Sequence, residues 1–304
     1  MKNSLVDIVI VNWNAGKLLR DCVDSIVKYK NNNIGSVIVV DNGSTDNSMS
    51  LLPKDKSYIK LVNEEINNGF GKACNIGARL TNSEYILFLN PDTVINETSI
   101  DGVIEFMSKE NSSNIGICGI QLKDDSGISA SCSRFPSIGN IISSSIGLSR
   151  IFPRLGAPMN DFSHELNKEV DQVMGAFFLI RSNLYEECLG FDERFFVYYE
   201  EVDLSKRVNS LGFKSMFFAE SNAYHIGGGV SQQVKAKRLF YSLRSKSQYS
   251  KKHFNYFSNL LIYLSIFLIE LPSRVIFCLL KLDFKALLET LSAYKMLLTW
   301  FIKR

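Results

Sequence analysis

Three carboxylates lie close together in an aromatic segment and offer the clearest acid–base chemistry in the chain. Glu200, Glu201 and Asp203 fall within GFDERFFVYYEEVDLSKRV, where phenylalanine and tyrosine precede the acids. Burial and nearby negative charge both raise the pKa of a carboxyl group, and a carboxylate with a raised pKa is a useful general base near neutral pH. The alternative is a solvated acidic helix start, which Asp203 partly fits because Arg207 follows at helical spacing.

Two further acids follow apolar runs that are typical of strands. Asp41 ends the run VIVV, where its carboxylate can accept a hydrogen bond from a nucleobase imide or a ribose hydroxyl. Asn90 and Asp92 follow the run YILFL, with Pro91 between them. A hard divalent cation that bridges two phosphates needs only one or two protein oxygens, and these two side chains can supply them. Each motif alone is also compatible with a structural turn.

Polar residues and glycines follow two more apolar runs. Asn12, Trp13 and Asn14 come directly after the first run, and a ring beside two amides suits a nucleobase that is stacked and hydrogen bonded. Trp13 is equally compatible with a core position. In the segment NNGFGKACN, Gly69 lets the backbone approach a ligand closely, and Lys72 can meet a phosphate. Taken singly, these are weak signals.

His225 precedes three glycines in the motif YHIGGG and is one of only three histidines in the chain. An imidazole beside a glycine hinge is a candidate metal ligand. A histidine with a purely structural role is the alternative.

The elements that must position these side chains alternate along the first half of the chain. Short β-branched runs predict five strands, and apolar residues at helical spacing predict a helix between the first two. Strands separated by single helices imply a mostly parallel, doubly wound α/β sheet, whose ligands bind beyond the carboxyl ends of the strands. The predicted strands are Asp7–Val11, Ser36–Val40, Ile59–Val62, Tyr85–Leu89 and Ile115–Ile120.

The second half is less regular at first. Residues 123–170 are rich in serine and glycine and predict a long surface excursion on the acceptor side. Gln172–Arg181 and Phe213–Glu220 then predict two more strands.

Composition and charge narrow the class of protein. At 304 residues, the chain is long enough for one large domain or for a domain with an appendage. A net charge of +3 is too small to argue for a nucleic acid partner, and we expect none. The six cysteines form no CxxC pair, which favours reduced core thiols and the cytosolic side of a membrane. The N-terminus runs straight into a strand-like segment, so we expect no signal peptide.

The last part of the chain changes character. We predict a catalytic domain over residues 1–230 and a basic, apolar helical region over 231–304. The apolar runs Tyr256–Ile269 and Val275–Leu280 are each short for a bilayer span, so we expect two amphipathic or re-entrant helices in the membrane interface. A soluble helical subdomain packed on the catalytic domain is the alternative.

The order and spacing of the motifs are more specific than any one of them. VIVNWNAG, VIVVDNGSTDNS, NNGFGKACNIG, YILFLNPDT, MGAFFLIR, GFDERFFVYYEEVDL and AYHIGGG together resemble the family 2 glycosyltransferases, and among them bacterial rhamnosyltransferases of O-antigen and envelope polysaccharide synthesis. The resemblance covers roughly residues 5–230. It implies a GT-A fold, with a Rossmann-like nucleotide-binding half and an acceptor half, an inverting displacement, and Mn2+ or Mg2+ as cofactor.

The resemblance also assigns roles to residues. It implies that Glu201 is the general base, although the family usually has Asp there, with Glu200 and Asp203 as fallback candidates. Asp92 and His225 are implied as metal ligands, although the first acid of the family's DxD motif is here Asn. Gly175 and Ala176 are implied to line the acceptor pocket. The implied donor-binding residues are Asn12, Trp13, Asn14, Asp41, Asn68, Gly69, Lys72, Asn75, Asn90 and Asp92.

These implications predict transfer of a sugar from a nucleotide diphosphate donor, with dTDP-rhamnose as the leading donor and UDP-hexoses or UDP-galactofuranose as alternatives. The expected acceptor is a saccharide, lipid-linked because the basic, apolar tail favours the cytoplasmic face of the bacterial inner membrane. Two other classes remain open. A sugar nucleotidyltransferase would need a better glycine-rich loop after the first strand. An inactive scaffold of a polysaccharide assembly complex is supported only by Asn90 and Glu201, which differ from the residues that the family usually has at these positions.

Overall fold

The computed structural model describes residues 4–53, 55–227 and 235–303. The strands are β1 Val6–Asn12, β2 Ile34–Asn42, β3 Ile59–Glu64, β4 Tyr85–Leu89, β5 Thr93–Ile95, β6 Ile115–Asp124, β7 Gly127–Ser129, β8 Cys132–Ser133, β9 Lys168–Val170, β10 Gln172–Val173, β11 Phe177–Arg181 and β12 Lys214–His225. The helices are α1 Lys17–Lys28, α2 Phe70–Ala78, α3 Glu97–Met107, α4 Ile138–Ser145, α5 Leu148–Ile151, α6 Ser182–Glu187, α7 Glu200–Ser210, α8 Lys235–His253, α9 Tyr256–Ser265, α10 Leu271–Leu280 and α11 Phe284–Ile302.

One large sheet dominates the fold, with the strand order β3-β2-β1-β4-β11-β6-β12-β5. Its nucleotide-binding half is parallel, because β1 pairs in parallel with β2 and β4, and β2 pairs in parallel with β3. β11 runs antiparallel between β4 and β6, and β5 runs antiparallel to the end of β12. The prediction of a doubly wound, mostly parallel sheet is therefore confirmed.

Burial on both faces explains why the first strands read as unbroken apolar runs. Alternate residues of β1 enter opposite layers: Ile8 and Ile10 pack with α1 and α3, whereas Val9 and Val11 pack with α2, α6 and α7. Because successive side chains of a strand point to opposite faces, each layer receives half of every strand. The five strands predicted in the first half correspond to β1, β2, β3, β4 and β6. The predicted strand Gln172–Arg181 is split into β10 and β11 around a turn.

The segment 123–170 contains more regular structure than its sequence predicts. Ser137 and Asn140 form a reciprocal capping box that starts α4. Ile141 of this helix is buried against Leu243, Ile262 and Ile266 of the C-terminal region. Packing against residues distant in sequence orders this segment, and local sequence patterns do not predict such packing.

The prediction of two separate apolar helices in the tail is wrong. α9 and α10 join through a π-helical turn, Ile266–Glu270, into one helix over Tyr256–Leu280 with a mean hydropathy of 1.9. The wide turn directly precedes Pro272, and such turns let a helix continue past a proline ring. Within the described ranges, this is one helix that is long and apolar enough to cross a membrane, judged by length and composition alone.

Two other expectations can be compared with the structure. All six cysteines are free, and five of them are buried, as expected for reduced core thiols. The predicted boundary between residues 230 and 231 lies outside the described residues, as do Gly228 and Gly229 of the YHIGGG motif.

Candidate active site

The ends of β1 and β2 are joined by one buried amide. Asn12 pairs with Asp41 in the parallel register, and its Nδ2 lies 2.8 Å from Asp41 Oδ1, 3.0 Å from Ser44 Oγ and 2.7 Å from Ser48 Oγ. Asn12 is completely buried, whereas Asp41 is partly exposed. Asn12 therefore orients the Asp41 carboxylate, and Asp41 is the more accessible of these two predicted donor-side residues.

The loop after β1 is tied to the loop after β2 by Asn14. Asn14 has a φ of +52°, in the left-handed region that asparagine tolerates better than most residues. Its Oδ1 accepts hydrogen bonds from the backbone of Thr45 at 2.7 Å and Asp46 at 3.2 Å. Trp13, between the two asparagines, is partly exposed.

A third loop is held by Asn42, which sequence reasoning did not select. Its Oδ1 accepts from the backbone nitrogen of Asn68 at 2.8 Å, and its Nδ2 donates to the carbonyl of Gly69 at 3.1 Å. Asn42 is buried and directly follows Asp41, so its place in the run VVDNGS was the available signal. It brings the predicted donor segment to the end of β2.

Gly69 joins the donor segment to the aromatic segment that precedes the acids. Its φ is +86°, and a β-carbon at this position would lie 2.4 Å from the carbonyl oxygen of Phe196. That same oxygen accepts a hydrogen bond from the backbone nitrogen of Phe70 at 2.6 Å. Only glycine satisfies both the conformation and the space. Lys72, in the first turn of α2, is partly exposed.

Asn75 has a different role from the predicted one. Its Oδ1 accepts from the hydroxyl of Tyr185 at 2.5 Å and the backbone nitrogen of Phe191 at 2.9 Å, and its Nδ2 donates to the Phe191 carbonyl at 2.9 Å and to Glu193. The side chain is buried and its polar atoms are engaged within the protein. We correct its assignment from donor binding to support of the loop before the acids.

The end of β4 and the end of β12 bring two potential metal ligands together. His225 Nε2 lies 3.2 Å from Asp92 Oδ1, because β12 pairs with β5 and places His225 opposite Thr93. The backbone nitrogen of Ile226 also donates to the carbonyl of Asp92 at 3.2 Å. The part of the chain that the structure describes has no cluster of three or more metal-binding side chains. Two converging ligands fit a divalent cation that completes its shell with diphosphate oxygens and water.

The start of β11 is fastened to the same strand end. The carbonyl of Ala176 accepts from the backbone nitrogen of Asn90 at 3.1 Å and from the hydroxyl of Thr93 at 3.3 Å. A β-carbon on Gly175 would meet no atom within 4 Å, so this residue borders open space. Gly175 therefore suits the predicted acceptor side, and the buried Ala176 supports the backbone beside Asn90.

The acids start α7 directly after two strained residues. Tyr198 and Tyr199 have φ values of +70° and +71°, which are uncommon for bulky residues and mark a locally constrained backbone. The C-terminal region holds this turn: Ser245 Oγ donates to the carbonyl of Val197 at 2.8 Å, and Tyr249 lies 5.4 Å from the Tyr199 ring. Helix α8 thus defines where α7 begins.

Glu200 is buried and Glu201 is partly buried, and the two neighbouring carboxyl groups lie near α2. Burial first, and then the charge of Glu201, raises the pKa of Glu200 well above its usual range, and burial also raises the pKa of Glu201. Burial and the charges of both acids raise the pKa of the nearby Cys74 thiol. Each glutamate has an Oε2 atom without a hydrogen-bond partner among the described residues. Glu201 is the more accessible of the two, which favours it as the base.

The structure corrects the assignment of Asp203 as a fallback base. This side chain is completely buried and accepts from Arg207 at 2.8 Å, Lys252 at 2.6 Å and His253 at 2.7 Å. Burial alone would raise the pKa of Asp203, but the hydrogen bond from His253 and the neighbouring cations outweigh it and lower the pKa. Asp203 joins α7 to α8 and is not accessible to a substrate.

Sequence comparison finds sugar-transferring enzymes among the proteins that this chain resembles. The chain is 25% identical over 205 residues to the N-acetylglucosaminyl-diphospho-decaprenol L-rhamnosyltransferase of Mycobacterium tuberculosis, covering 62% of this chain and 66% of that protein. It is 29% identical over 112 residues to the glycosyltransferase GlyG of Streptococcus pneumoniae, covering 36% and 37%. Rhamnosyltransferase WbbL of Escherichia coli is 24% identical over 189 residues, covering 60% and 69%. The chain therefore spans less than two thirds of the first two relatives.

Solved structures share the fold. The mannosyltransferase PcManGT of Pyrobaculum calidifontis, in complex with GDP-Man and Mn2+, superposes with a TM-score of 0.57 at 13% identity, over 96% of this chain and 74% of that one. TarS of S. aureus has a TM-score of 0.52 at 17% identity, over 86% and 72%. At such identities the likeness shows the fold alone, and it confirms the predicted GT-A architecture.

The family assignment comes from the sequence itself. The family model described as glycosyl transferase family 2 matches residues 7–188, a range that contains the ends of β1, β2 and β4 and the start of β11. Since this match covers more than half of the chain, the protein belongs to glycosyl transferase family 2.

Proposed function

We propose that this protein is an inverting glycosyltransferase that moves a sugar from a nucleotide diphosphate donor to an acceptor hydroxyl. The observation that carries the proposal is the contact of Gly69 with Phe196. This contact joins the strand-end loops around Asp41 to the segment that leads into Glu201, which supports a cleft between the donor side and the candidate base. A carboxylate facing a bound donor is the arrangement that direct displacement requires.

Each residue has a proposed role in donor binding or catalysis that follows from its position. Asp41, oriented by Asn12, accepts hydrogen bonds from the base or ribose of the donor, and the partly exposed ring of Trp13 stacks beside it. Lys72, in the first turn of α2, offers a cation to the donor phosphates. Glu201 takes the proton from the acceptor hydroxyl as that oxygen attacks the anomeric carbon opposite the diphosphate. No covalent enzyme intermediate is required.

Asp92 and His225 are the residues that would hold a divalent cation. Their side chains approach to 3.2 Å at the ends of β4 and β12, beside Asn90. When bound, Mn2+ or Mg2+ supplies charge neutralisation for the leaving diphosphate. The presence of Mn2+ in the structure of the mannosyltransferase PcManGT supports this assignment.

The donor that we propose first is dTDP-rhamnose. The names of two relatives support it, since both are called rhamnosyltransferases. UDP-hexoses and UDP-galactofuranose are the alternatives. The contacts among the described residues do not identify the base or the sugar of the donor, so the choice of dTDP-rhamnose depends on these relatives.

The proposed acceptor is a lipid-linked saccharide at the cytoplasmic face of the bacterial inner membrane. The name of the M. tuberculosis relative specifies an acceptor on diphospho-decaprenol. In this chain, α10 and α11 expose large apolar side chains, among them Leu280 at 79%, Leu288 at 68% and Ile302 at 83%. Clusters of exposed apolar side chains commonly mark interaction surfaces, and a lipid bilayer is the partner whose chemistry matches them.

The activity is tested with a panel of nucleotide sugars in the presence and absence of Mn2+. We expect one donor, dTDP-rhamnose first, to bind and to be hydrolysed slowly in a metal-dependent reaction. Failure of every nucleotide sugar to bind would contradict a transferase. Release of pyrophosphate from a nucleoside triphosphate and a sugar phosphate would instead identify a nucleotidyltransferase.

Membrane binding is tested by co-sedimentation with phosphatidylglycerol vesicles. Leu280→Glu and Leu288→Glu should each reduce the bound fraction, because both place a charge in the apolar face. Leu166→Glu is the matched control, since Leu166 is 69% exposed but lies outside the C-terminal helices. Equal binding of all three variants would contradict the proposed membrane surface.

A further inference from the structure

A cavity lies outside the strand-end site, between α4, α5 and the segment that links α5 to β9. Its volume is about 530 Å3. Ligand pockets in proteins commonly measure roughly 300–1,000 Å3, so this one can accept part of a substrate. None of the residues assigned above to the donor, the metal or the base lines it.

One part of the cavity wall is polar and positively charged. Arg134 and Arg154 line it together with Ser143. Arg134 is paired through two hydrogen bonds, of 2.9 and 2.7 Å, with Asp161. Arg154 is 88% exposed, and its Nε lies 3.9 Å from the same carboxylate, beyond hydrogen-bond distance. Two arginines and one aspartate leave a net positive charge, so this wall suits an anion.

Ser143 places a hydroxyl in the same wall of the cavity. Its side chain is only 7% exposed, and its Oγ has no hydrogen-bond partner among the described residues. A buried hydroxyl without a partner costs free energy, and ligands often satisfy such groups. An anionic oxygen in the cavity would accept the hydrogen bond that Ser143 can donate.

The rest of the wall is apolar and leads to the lipid-facing surface. Ile142, Ile146, Leu148 and Leu155 line the cavity. Ile151 at the end of α5 and Phe152 directly after it are exposed.

The guanidinium of Arg150 lies 5.3 Å from the ring centroid of Phe277, which connects α5 to α10. Helix α5 therefore borders the cavity through Leu148 and contacts α10 through Arg150.

The opposite side of α4 faces the catalytic turn. A smaller cavity of about 200 Å3 is lined by Tyr199, Lys246 and Glu270. Asn140 lines both cavities. Helix α4 therefore borders both the larger cavity and the turn at Tyr199 that precedes the two glutamates.

We propose that the larger cavity binds the diphosphate and the first isoprene units of a prenyl diphosphate-linked acceptor. Arg154, Arg134 and Ser143 hold the diphosphate, and the apolar wall holds the beginning of the chain, which then runs over α5 to the membrane. The proposal rests on the proposed function, since it assigns the acceptor of that reaction. It adds a binding site that is separate from the donor site.

The test measures binding of farnesyl diphosphate to the full chain by calorimetry in EDTA, which prevents metal-dependent binding at the donor site. We expect Arg154→Gln to weaken binding by about ten-fold or more, because a charge-assisted contact is lost. Arg150→Gln is the matched control, since Arg150 is a neighbouring arginine that does not line the cavity. Ser143→Ala supplies a second, conservative variant and should weaken binding as well.

Other ligands and a donor-site variant identify the source of any signal. Inorganic pyrophosphate and farnesol should each bind more weakly than farnesyl diphosphate, since each lacks one half of the ligand. Asp92→Asn should leave the binding of farnesyl diphosphate unchanged. Equal loss in Arg150→Gln and Arg154→Gln, or binding of dioctanoyl phosphatidylglycerol as tight as that of farnesyl diphosphate, would overturn the proposal.

Hydrolysis of the nucleotide sugar by the unaltered protein is measured in parallel. Donor hydrolysis without farnesyl diphosphate binding would reject this cavity and keep the proposed function. Farnesyl diphosphate binding that Arg154→Gln weakens, without hydrolysis or binding of any nucleotide sugar, would support the cavity and reject the proposed function.

Discussion

Gly69 lies directly against the carbonyl oxygen of Phe196, and this contact links the donor-side loops to the acidic segment. A β-carbon at position 69 would stand 2.4 Å from that oxygen, in a backbone conformation that disfavours side chains. The neighbouring hydrogen bond from Phe70 to the same oxygen holds the two segments at this separation. The proposed cleft thus depends on the absence of a β-carbon at position 69.

Gly69→Ala should therefore lower both stability and activity. Both the positive φ and the clash with backbone atoms must be relieved, at a cost of about 1–3 kcal/mol. Thermal unfolding and donor binding measure the two effects. Gly175→Ala is the control for stability, because a β-carbon there meets no atom within 4 Å. An unchanged melting temperature in Gly69→Ala would show that the contact is not rigid.

Glu201→Gln should abolish sugar transfer while donor binding survives. The amide cannot accept the proton of the acceptor hydroxyl, and loss of a general base costs about 10²–10⁴-fold in rate. Glu200→Gln is the comparison, because Glu200 is the more deeply buried acid of the pair. Transfer assays and donor titrations on both variants decide the assignment. If Glu200→Gln loses transfer and Glu201→Gln keeps it, the base is Glu200.

The buried glutamates should also make the protein less stable as the pH rises. Burial raises the folded-state pKa of Glu200 above its usual value of 4.5, so the unfolded chain releases its proton first. The folded state then binds more protons than the unfolded state, and the free energy of unfolding falls with pH from about 4.5 up to the raised pKa.

Glu200→Gln removes this dependence at one site. The melting temperature of Glu200→Gln minus that of the unaltered protein should increase with pH from about 4.5 up to the raised pKa. Melting curves at a series of pH values give the comparison, and a constant difference would mean that the Glu200 pKa is not raised. In kinetics, the acidic limb of kcat/KM should lie above the usual glutamate range, because burial raises the pKa of Glu201.

Asp92→Asn and His225→Ala should weaken Mn2+-dependent donor binding. Each removes one of two side chains that approach to 3.2 Å at the ends of β4 and β12. We expect a loss of about ten-fold or more, measured by titrating donor at several Mn2+ concentrations. Glu84→Gln is the control, since Glu84 precedes the opposite end of β4. Donor titrations that are the same in all three variants would refute a metal site here.

Asp203→Asn should destabilise the whole fold without the signature of a catalytic base. Asp203 is completely buried and accepts from Arg207, Lys252 and His253. Removing one partner of a buried ionic network costs about 3–5 kcal/mol, because the remaining charges stay buried. Urea unfolding measures this loss. Asp21→Asn, in an exposed pair with Lys17, should leave unfolding unchanged. A marginal effect of Asp203→Asn would argue that α8 and α7 are held by other contacts.

The sequence predicted the elements of the fold well where the signal is local. Apolar runs and helical spacing located β1, β2, β3, β4 and β6, because burial on both sheet faces requires unbroken apolar strands. The strand-end rule then collected Asp41, Asn90 and Asp92 at one edge. The order of the motifs indicated the family, since it reflects many residues at once.

The roles of individual polar side chains depended on the tertiary structure. Asn12, Asn75 and Asp203 stand in motifs that predict ligand contacts, yet all three are buried and bonded to partners distant in sequence. A motif shows which polar atoms are present, whereas only the folded structure shows which of them have partners within the protein. For the same reason, the sequence predicted chemistry at Glu200 and Glu201, but their burial and relative access came from the structure.

The sequence by itself therefore determined the type of sheet, the polar residues that follow its strands and the family. The tertiary structure decided which acid is accessible, how Gly69 brings the two halves of the cleft together, and that α9 and α10 form one helix. The physical reason is the range of the interactions. Strand and helix patterns follow from periodicity within a few residues, whereas burial, pairing and cavities arise between residues that the chain brings together only on folding.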